Sequence, residues 1–486
     1  MSDILNIGTY SDQNATGAPS GYTGGSPVDT GDLRRKFNFG DRVSELSLSQ
    51  DPFFRILSMV SKKPTDDPQF KFTERRGSFH KRYAYVAGHG SAYTSTDGTA
   101  LENTLGNTAY FKFYTDWNSD GNLNNIYGKT AVNYAGVAGT KPDFIIPGQV
   151  MKINTSTAAA ATTASSYQLI KVTGVQDDGN YVKVQGTVIK ASSDSGAVCL
   201  DTDILGASGA TATQSQEYYE PFRCYVIGTA FDAGSGYPET WDDQPFSTSY
   251  GRTQIWKTSM AMNNTDRATV LKYEGNEWAR IWKEKLVEHK WDIEHSLLFG
   301  RQSDTYNTTQ GAVDWIATNG NAFTLDTATK TQDDFLDDLS AYMDPRYNNG
   351  MATVFFVNTA VYNWLHKLGG YFNNNLSIGS NFRADFAVMG KKKVMGLDAT
   401  TISTVYGDMN VVRNIHLDGT NVKMLGVNMK YCAYRPLVGN GINRDTSVYV
   451  GVQTLENSGV DRRVDQILTE AGMEWCCPET HAVWTA

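Results

Sequence analysis

The stretch that decides the fold is YEGNEWARIWKEKLVEHKWDIEHSLLFGR, residues 273–301. Its apolar side chains recur three or four positions apart, the spacing of one face of an α-helix. This stripe consists of Trp278, Ile281, Trp282, Leu286, His289, Ile293 and Leu297. At 1.5 Å per residue the helix is about 40 Å long. Because most helices are far shorter, it needs a large partner surface.

The polar side of this helix carries charges of opposite sign four residues apart. Arg280 precedes Glu284 and Lys290 precedes Glu294 in this way, which predicts two surface ion pairs. Gly300 is placed to end the helix as a glycine just past its last turn.

Composition excludes several classes of protein. The net charge is -9, so the chain lacks the overall basic character of nucleic-acid-binding proteins. The opening MSDILNIGTYSDQ resembles no signal peptide, and no run of 18 apolar residues occurs. These features predict a soluble protein that is made in the cytoplasm and has no membrane partner.

Residues 1–45 are expected to form an extended arm. Seven glycines fall within the first 40 positions, among Ser, Thr, Asp and Pro, and hydrophobic periodicity is missing. A segment of this composition does not bury enough apolar surface to order itself. We therefore expect a neighbouring subunit to cover it.

Short periodic segments fill the rest of the chain. Residues 46–63 predict a small helix, and residues 68–95 predict a strand that leads into a turn. Four strand-like runs predict a β-rich module over 143–231, with an Asp-Gly hairpin turn at 176–180. Helices are predicted at 331–343 and 359–368, with a buried strand at 351–358 between them.

Three blocks resemble a branch of the tailed-phage major capsid proteins, which have the fold first seen in phage HK97. Residues 273–301 are similar to the long "spine" helix of that branch, with Lys-Leu-x-Glu-His, Asp-Ile-Glu and Leu-Leu-Phe-Gly-Arg in order. The run TSYGRTQIWKTSMAMNNT (248–265) resembles the strand that leads into the helix, and QILTEAGMEWCCPETHAVW (466–484) resembles the closing strands.

The resemblance implies an α+β, HK97-like capsid fold with an inserted β-rich domain. The implied domains are an N-terminal arm (1–45), a peripheral (P) domain (46–65, 232–344 and 441–486), an extended (E) loop region (66–142), the inserted domain (143–231) and an axial (A) domain (345–440).

The same resemblance implies a structural function without catalysis. The chain would assemble into hexamers and pentamers of an icosahedral head, in a virion of the Caudoviricetes, around double-stranded DNA that it does not bind specifically. Scaffolding, portal and cement or decoration proteins are the implied partners, and no cofactor is expected. The assembly residues implied on the spine helix are Asn276, Glu277, Trp278, Arg280, Trp282, Glu288, His289, Asp292, Glu294 and Arg301.

One segment resembles a calcium-binding loop. Asp116, Asn118 and Asp120, followed by Gly121, match the first half of an EF-hand. The twelfth position is Tyr127, where the site needs a bidentate Glu. An Asx-rich surface turn is therefore the favoured interpretation, with calcium as the alternative.

The histidines and acids of the helix do not predict a metal or catalytic site. His289 and His295 are six residues apart, which does not suit a shared metal, and HExxH is absent. Packing or interface roles are expected for them. Glu284, Glu288, Asp292 and Glu294 are interpreted as a solvated or interfacial charged face.

Two alternative functions remain open on the sequence alone. An encapsulin-like compartment shell would share the fold, but the arm, the β-rich insert and the phage-type motifs disfavour it. A secreted β-rich carbohydrate-binding protein would suit the Tyr, Trp and Gly content. It is disfavoured because a signal peptide and a recognisable acid pair are missing.

Overall fold

β-Strands make up most of the elements in the part of the chain that the computed structural model describes. The described residues are 50–75, 82–94, 96, 101–115, 141–155, 167–179, 181–193, 223–239, 247–271, 276–343, 345, 348, 353–374, 386–394 and 397–486. The strands are β1 Gln69–Glu74, β2 Tyr83–Gly90, β3 Thr108–Tyr114, β4 Gln149–Asn154, β5 Tyr167–Asp178, β6 Tyr181–Lys190, β7 Cys224–Thr229, β8 Ser247–Arg252, β9 Gln254–Asn263, β10 Asn321–Thr324, β11 Thr353–Val357, β12 Phe386–Val394, β13 Leu397–Thr404, β14 Gly407–Arg413, β15 Val422–Asn428, β16 Cys432–Pro436, β17 Val438–Gly439, β18 Ile442–Asn443, β19 Ser447–Gln453, β20 Arg462–Trp475 and β21 Ala482–Thr485.

The helices lie mainly in the second half of the chain. They are α1 Pro52–Val60, α2 Asn264–Ala268, α3 Glu277–Phe299, α4 Ala312–Asn319, α5 Gln332–Tyr342, α6 Thr359–Asn374 and α7 Leu455–Ser458. Short 3-10 turns cover Ile415–Leu417 and Pro478–Thr480. In the described residues, none of these helices is both long and apolar enough to cross a membrane.

Six strands close into a barrel in the order β2-β3-β6-β5-β4-β7. Alternate residues face its core, as the two-residue period of a strand requires; in β6 these include Val182, Val184 and Val188. The turn between β5 and β6 contains Gly179 with a φ of 74°. The predicted Asp-Gly hairpin is thus present, and glycine suits the left-handed backbone there.

A sheet built on β20 carries the long helix. β9 pairs with β20 along one edge, and β16 and β19 pair with it along the other. Trp256, Thr258 and Met260 of β9 alternate with exposed residues and are buried. The helix α3 packs on this buried face.

A mixed seven-stranded sheet, in the order β10-β21-β15-β11-β14-β13-β12, is covered on both faces. Phe355 and Phe356 are neighbours in β11, so they point to opposite faces. Phe356 packs in the core shared with α1, α3 and α4, whereas Phe355 packs with α5 and α6. This double burial explains the continuous apolar run that predicted the strand.

One barrel spans the predicted boundary between the E-loop region and the inserted domain. Strands β2 and β3 come from 66–142, and β4 to β7 come from 143–231. Across this boundary β3 pairs with β6 from Thr108 to Phe113, so strands from both predicted regions share one barrel. β1, also predicted in the E-loop region, pairs instead with β8 as a separate two-stranded ribbon.

Gly300 follows the last turn of α3, as predicted. Its φ and ψ of -63° and 158° are extended rather than left-handed. Close packing requires glycine here instead, because a Cβ would lie 2.3 Å from the Ser296 carbonyl oxygen and 3.1 Å from that of Thr309. The predicted arm (1–45) lies outside the described residues.

Candidate assembly surfaces

The long helix α3 begins with a capped end and a short ion-pair network. The Asn276 side chain accepts a hydrogen bond from the Ala279 amide at 3.2 Å. Arg280 donates to Glu277, at 3.0 Å for its Nε atom, and also to Glu284. The side-chain hydrogen bond to Arg280 lowers the pKa of Glu277. The predicted pair of Arg280 with Glu284 is present, and these residues form a rigid, charged start to the helix.

The first half of α3 keeps its apolar stripe partly exposed. Trp278, Ile281, Trp282 and Leu286 are only half-buried in the subunit. The Trp278 ring lies under two guanidinium groups, with Arg267 at 5.8 Å and Arg463 at 5.3 Å from its centroid. Large half-buried aromatic side chains beside arginines are typical of protein interfaces. We name the four apolar residues the tryptophan face.

The second half of α3 belongs to the core. His289, Ile293 and Leu297 are completely buried. His289 Nδ1 lies 2.9 Å from Thr258 Oγ1, and His289 Nε2 lies 2.8 Å from Thr469 Oγ1. This histidine therefore joins the helix to β9 and β20, and burial lowers its pKa to about 4.

Glu294 does not belong to the solvated or interfacial charged face that was predicted for the acids of the helix. It is completely buried, and its carboxylate accepts hydrogen bonds from the amides of Phe53 and Phe54. The predicted surface pair of Lys290 with Glu294 is thus wrong, because α1 covers that part of the helix. Burial raises the pKa of Glu294 to about 7.

The other acids do lie at the surface. Glu288 is exposed and pairs with Lys285 at 2.6 Å. Asp292 is also exposed as a residue, and its pKa is raised by partial desolvation and by the charge of Glu288. With Glu284, they form the charged side of α3 that the sequence predicts.

Arg301 lies beyond the helix end at the edge of a polar cleft of about 380 Å³. Its side chain is 83% exposed, and Nε lies 4.0 Å from an Asp314 carboxylate oxygen. Asp304 and Trp315 line the same cleft. An exposed arginine on a fixed helix end is available for contact with another molecule.

A second apolar surface lies along β19, and sequence reasoning did not identify it. This strand, SVYVGVQ, has no charged residue, and it pairs only with β20 among the described strands. Val448, Tyr449, Val450 and Val452 are between 40% and 65% exposed. Isolated edge strands usually carry charges that prevent further pairing. The uncharged, β-branched composition of 447–453 was the signal that could have revealed this surface.

The described residues bring together no metal centre. No group of three or more His, Cys, Asp or Glu side chains in that part of the chain could hold an ion. His289 and His295 have different partners, since His295 Nε2 lies 3.0 Å from His416 Nδ1. The calcium candidates Asp116, Asn118 and Asp120 lie outside the described residues.

Comparison with solved structures finds phage proteins at low similarity. A chain of Mycobacterium phage Patience is 11% identical, with 54% of this chain and 77% of that chain covered and a TM-score of 0.35. A chain of Microbacterium phage Oxtober96 is 12% identical, with 74% and 91% covered and a TM-score of 0.34. The mature capsid of bacteriophage PhiM1 is 10% identical, with 54% and 78% covered and a TM-score of 0.34. Scores of this size do not by themselves establish a common fold.

Comparison with protein families gives a match over nearly the whole chain. No curated protein matches the sequence. A family model described as SU10 major capsid protein matches residues 21–486. This range contains the long helix α3, the barrel and both large sheets. The chain therefore belongs to the family of SU10 major capsid proteins, whose members are structural proteins of the virion.

Proposed function

We propose that the chain assembles with copies of itself into hexamers and pentamers, which form the icosahedral head around the double-stranded phage genome. The observation that supports this most strongly is the family match over residues 21–486. The proposed role is structural and not catalytic. An encapsulin-like shell or a carbohydrate-binding protein is not favoured by that match.

For a capsid protein with this function, we propose an HK97-like fold. α3 with the β20 sheet would belong to the P domain, and the sheet around β11 and β14 to the A domain. β1 and β8 form a ribbon, and the barrel strands lie between them in the chain, so we assign both to the E-loop region and its insertion. The 1–45 arm is proposed to contact neighbouring subunits.

We propose that the tryptophan face and β19 are contact surfaces between copies. Each leaves apolar surface exposed to water. Burying such surface in a contact contributes roughly 25 cal/mol of free energy per Å². Repeated across a closed lattice, such modest contacts add to a stable shell. Of the ten predicted assembly residues, His289 and Glu294 are buried within the subunit and Arg301 lies beyond the helix end at the polar cleft. We propose that the remaining seven, all on the first part of α3 or its charged side, take part in contacts between copies.

The other partners are proposed from the capsid role alone. Scaffolding, portal and cement or decoration proteins would contact the assembled lattice. The acidic balance of -9 suits a wall that does not hold packaged DNA tightly. Synthesis is proposed in the host cytoplasm.

The Trp282→Ala variant tests the contact surface. Because Trp282 is half-buried in the subunit, we expect its loss to cost only about 1–2 kcal/mol of subunit stability. Shell formation should fall at least tenfold in yield, measured by sedimentation and electron microscopy.

The matched control is Lys283→Ala, one residue along the same helix and exposed. It should assemble as the wild type does. A normal yield of complete shells from Trp282→Ala would remove the tryptophan face from the proposed interface, and the capsid role itself would stand.

A further inference from the structure

The first turn of α1 is capped by a side chain from a distant helix. Pro52, at the first helical position, has no amide hydrogen to satisfy. The next two amides, of Phe53 and Phe54, donate to the Glu294 carboxylate at 3.1 and 2.6 Å. Asp51 occupies the usual capping position but makes no cap hydrogen bond, and its carboxylate pairs with Arg55 at 2.6 Å. Glu294 therefore takes the role that a local N-cap residue usually has.

The same carboxylate also binds the loop after β14. Asn414 Nδ2 donates to Glu294 Oε1 at 3.0 Å, and the Asn414 amide donates to the Val357 carbonyl oxygen at 2.8 Å. Asn414 and Glu294 are both completely buried. One buried carboxylate thus joins α1, α3 and the end of β14.

A pair of histidines holds Gln50, two residues before the start of α1. His416 Nε2 lies 2.8 Å from the Gln50 carbonyl oxygen, which accepts its hydrogen. His416 Nδ1 must then accept from His295 Nε2, 3.0 Å away. The bond between the two rings needs a neutral His416, because a protonated His416 offers donors at both nitrogens and cannot accept from His295.

Apolar packing fixes the rest of α1. Phe53 and Leu57 are completely buried in the core with Ile293 and Leu297 of α3. Residues 1–49 precede α1 directly in the sequence, so the position of α1 fixes the point at which they join the described part of the chain.

We propose that Glu294 is the residue that anchors α1, and with it the N-terminal segment, and that the charge on its carboxyl group sets how firmly α1 is docked. The charged and titratable groups that face it are Asp51 and Arg55 at the start of α1, His295 on α3 and His416 after β14. This role is a property of the single subunit and holds whether or not shells form.

The direction of the pH effect follows from burial. Burial raises the pKa of the docked Glu294 to about 7, with Asp51 adding to the rise and the three donors opposing it. A released α1 would return the pKa to its ordinary value near 4.5. Docking then takes up a proton, so its stabilisation is fully present below 4.5 and is lost as the pH rises through about 7.

Hydrogen exchange of α1 measures this docking in the dispersed full-length subunit. After correction for intrinsic exchange, we expect the opening equilibrium constant of the 53–60 amides to rise by up to tenfold per pH unit from pH 4.5 to about 7. Above pH 7 it should stay constant. In Glu294→Gln, which is neutral at every pH, that rise should disappear. The amides of α5 serve as the internal control, because this helix packs in the other core.

The proposal is overturned if the opening of α1 depends on pH equally in the wild type and in Glu294→Gln. It is also overturned if α1 opening depends on pH in neither protein. Asp51→Asn provides a second variant that keeps every Glu294 hydrogen bond in place. Because the Asp51 charge raises the pKa of Glu294, its removal should move the midpoint to lower pH. If Glu294→Gln does not fold, an unmoved midpoint in Asp51→Asn overturns the proposal by itself.

Discussion

His289 shows how one side chain holds the long helix on its sheet. The ring lies between two threonine hydroxyl groups, on β9 and on β20, and it is completely buried. Such a ring is tolerated in the core because both nitrogens have partners. Charging it would require a proton in a place that water does not reach, so burial keeps it neutral.

We predict that His289 makes the subunit sensitive to acid. Its folded-state pKa of about 4 lies below the ordinary 6.5, so its stabilisation is present above 6.5 and is lost as the pH falls toward 4. The loss amounts to at most about 3 kcal/mol. In His289→Gln, the free energy of unfolding should not show this loss between pH 6.5 and 4. Chemical denaturation at several pH values measures it.

The control for that measurement is His295→Gln, on the exposed side of the same helix. It should change the pH dependence less than His289→Gln does. Identical slopes for wild type and His289→Gln between pH 6.5 and 4 would contradict the prediction.

At the scale of the element, the two ends of α3 are fixed by different means. The first turn depends on hydrogen bonds from Asn276 and on the Arg280 network. The last turn depends on backbone packing at Gly300, whose amide donates to the Ser296 carbonyl oxygen at 2.9 Å. Gly311, just before α4, lies directly against it, since a Cβ there would meet the Gly300 amide nitrogen at 2.5 Å. The contact between Gly300 and Gly311 therefore has no room for a side chain at either position.

We predict that Gly300→Ala destabilises the subunit by about 1–3 kcal/mol, because a methyl group at 2.3 Å from a carbonyl oxygen forces the backbone to move. Thermal unfolding should show a lower Tm. Gly236→Ala is the matched control, since a Cβ there meets nothing within 4 Å. A loss of equal size in both variants would argue against steric crowding at the helix end.

The elements of the fold were predictable where the information was local. Periodicity located α3, α5 and β11, and the Asp-Gly turn located the β5–β6 hairpin. The burial of Glu294 could not be predicted in this way, because it depends on α1, about 240 residues away in sequence. The closed barrel was not predicted for the same reason: the pairing of β3 with β6 is a non-local contact that no short pattern reports.

For the molecule as a whole, the family match and the content of charged residues, 20% of the chain, both suit a protein whose surfaces are completed by its neighbours. The sequence predicted a capsid subunit, and the match over 21–486 confirms it. The exposed edge β19 was not predicted, because exposure depends on which strands lie beside it. The roles assigned to the arm and to the contact surfaces stay predictions.

Removal of residues 1–40 tests the arm. Because this segment is rich in glycine and lacks an apolar stripe, it should add little to the stability of the subunit. We expect the truncated chain to stay soluble and keep its Tm, and to fail to form complete shells in electron micrographs. Normal particles from the truncated chain would show that the arm is dispensable for assembly.

The position of β21 has a consequence for the order of events during synthesis. This strand, Ala482–Thr485, lies inside the seven-stranded sheet between β10 and β15. The barrel draws all its strands from residues 83–229, so it can close while the ribosome is still translating the rest. The sheet cannot be completed until translation reaches those last residues. A nascent chain that stalls between residues 229 and 482 would thus carry all the barrel strands but an incomplete seven-stranded sheet.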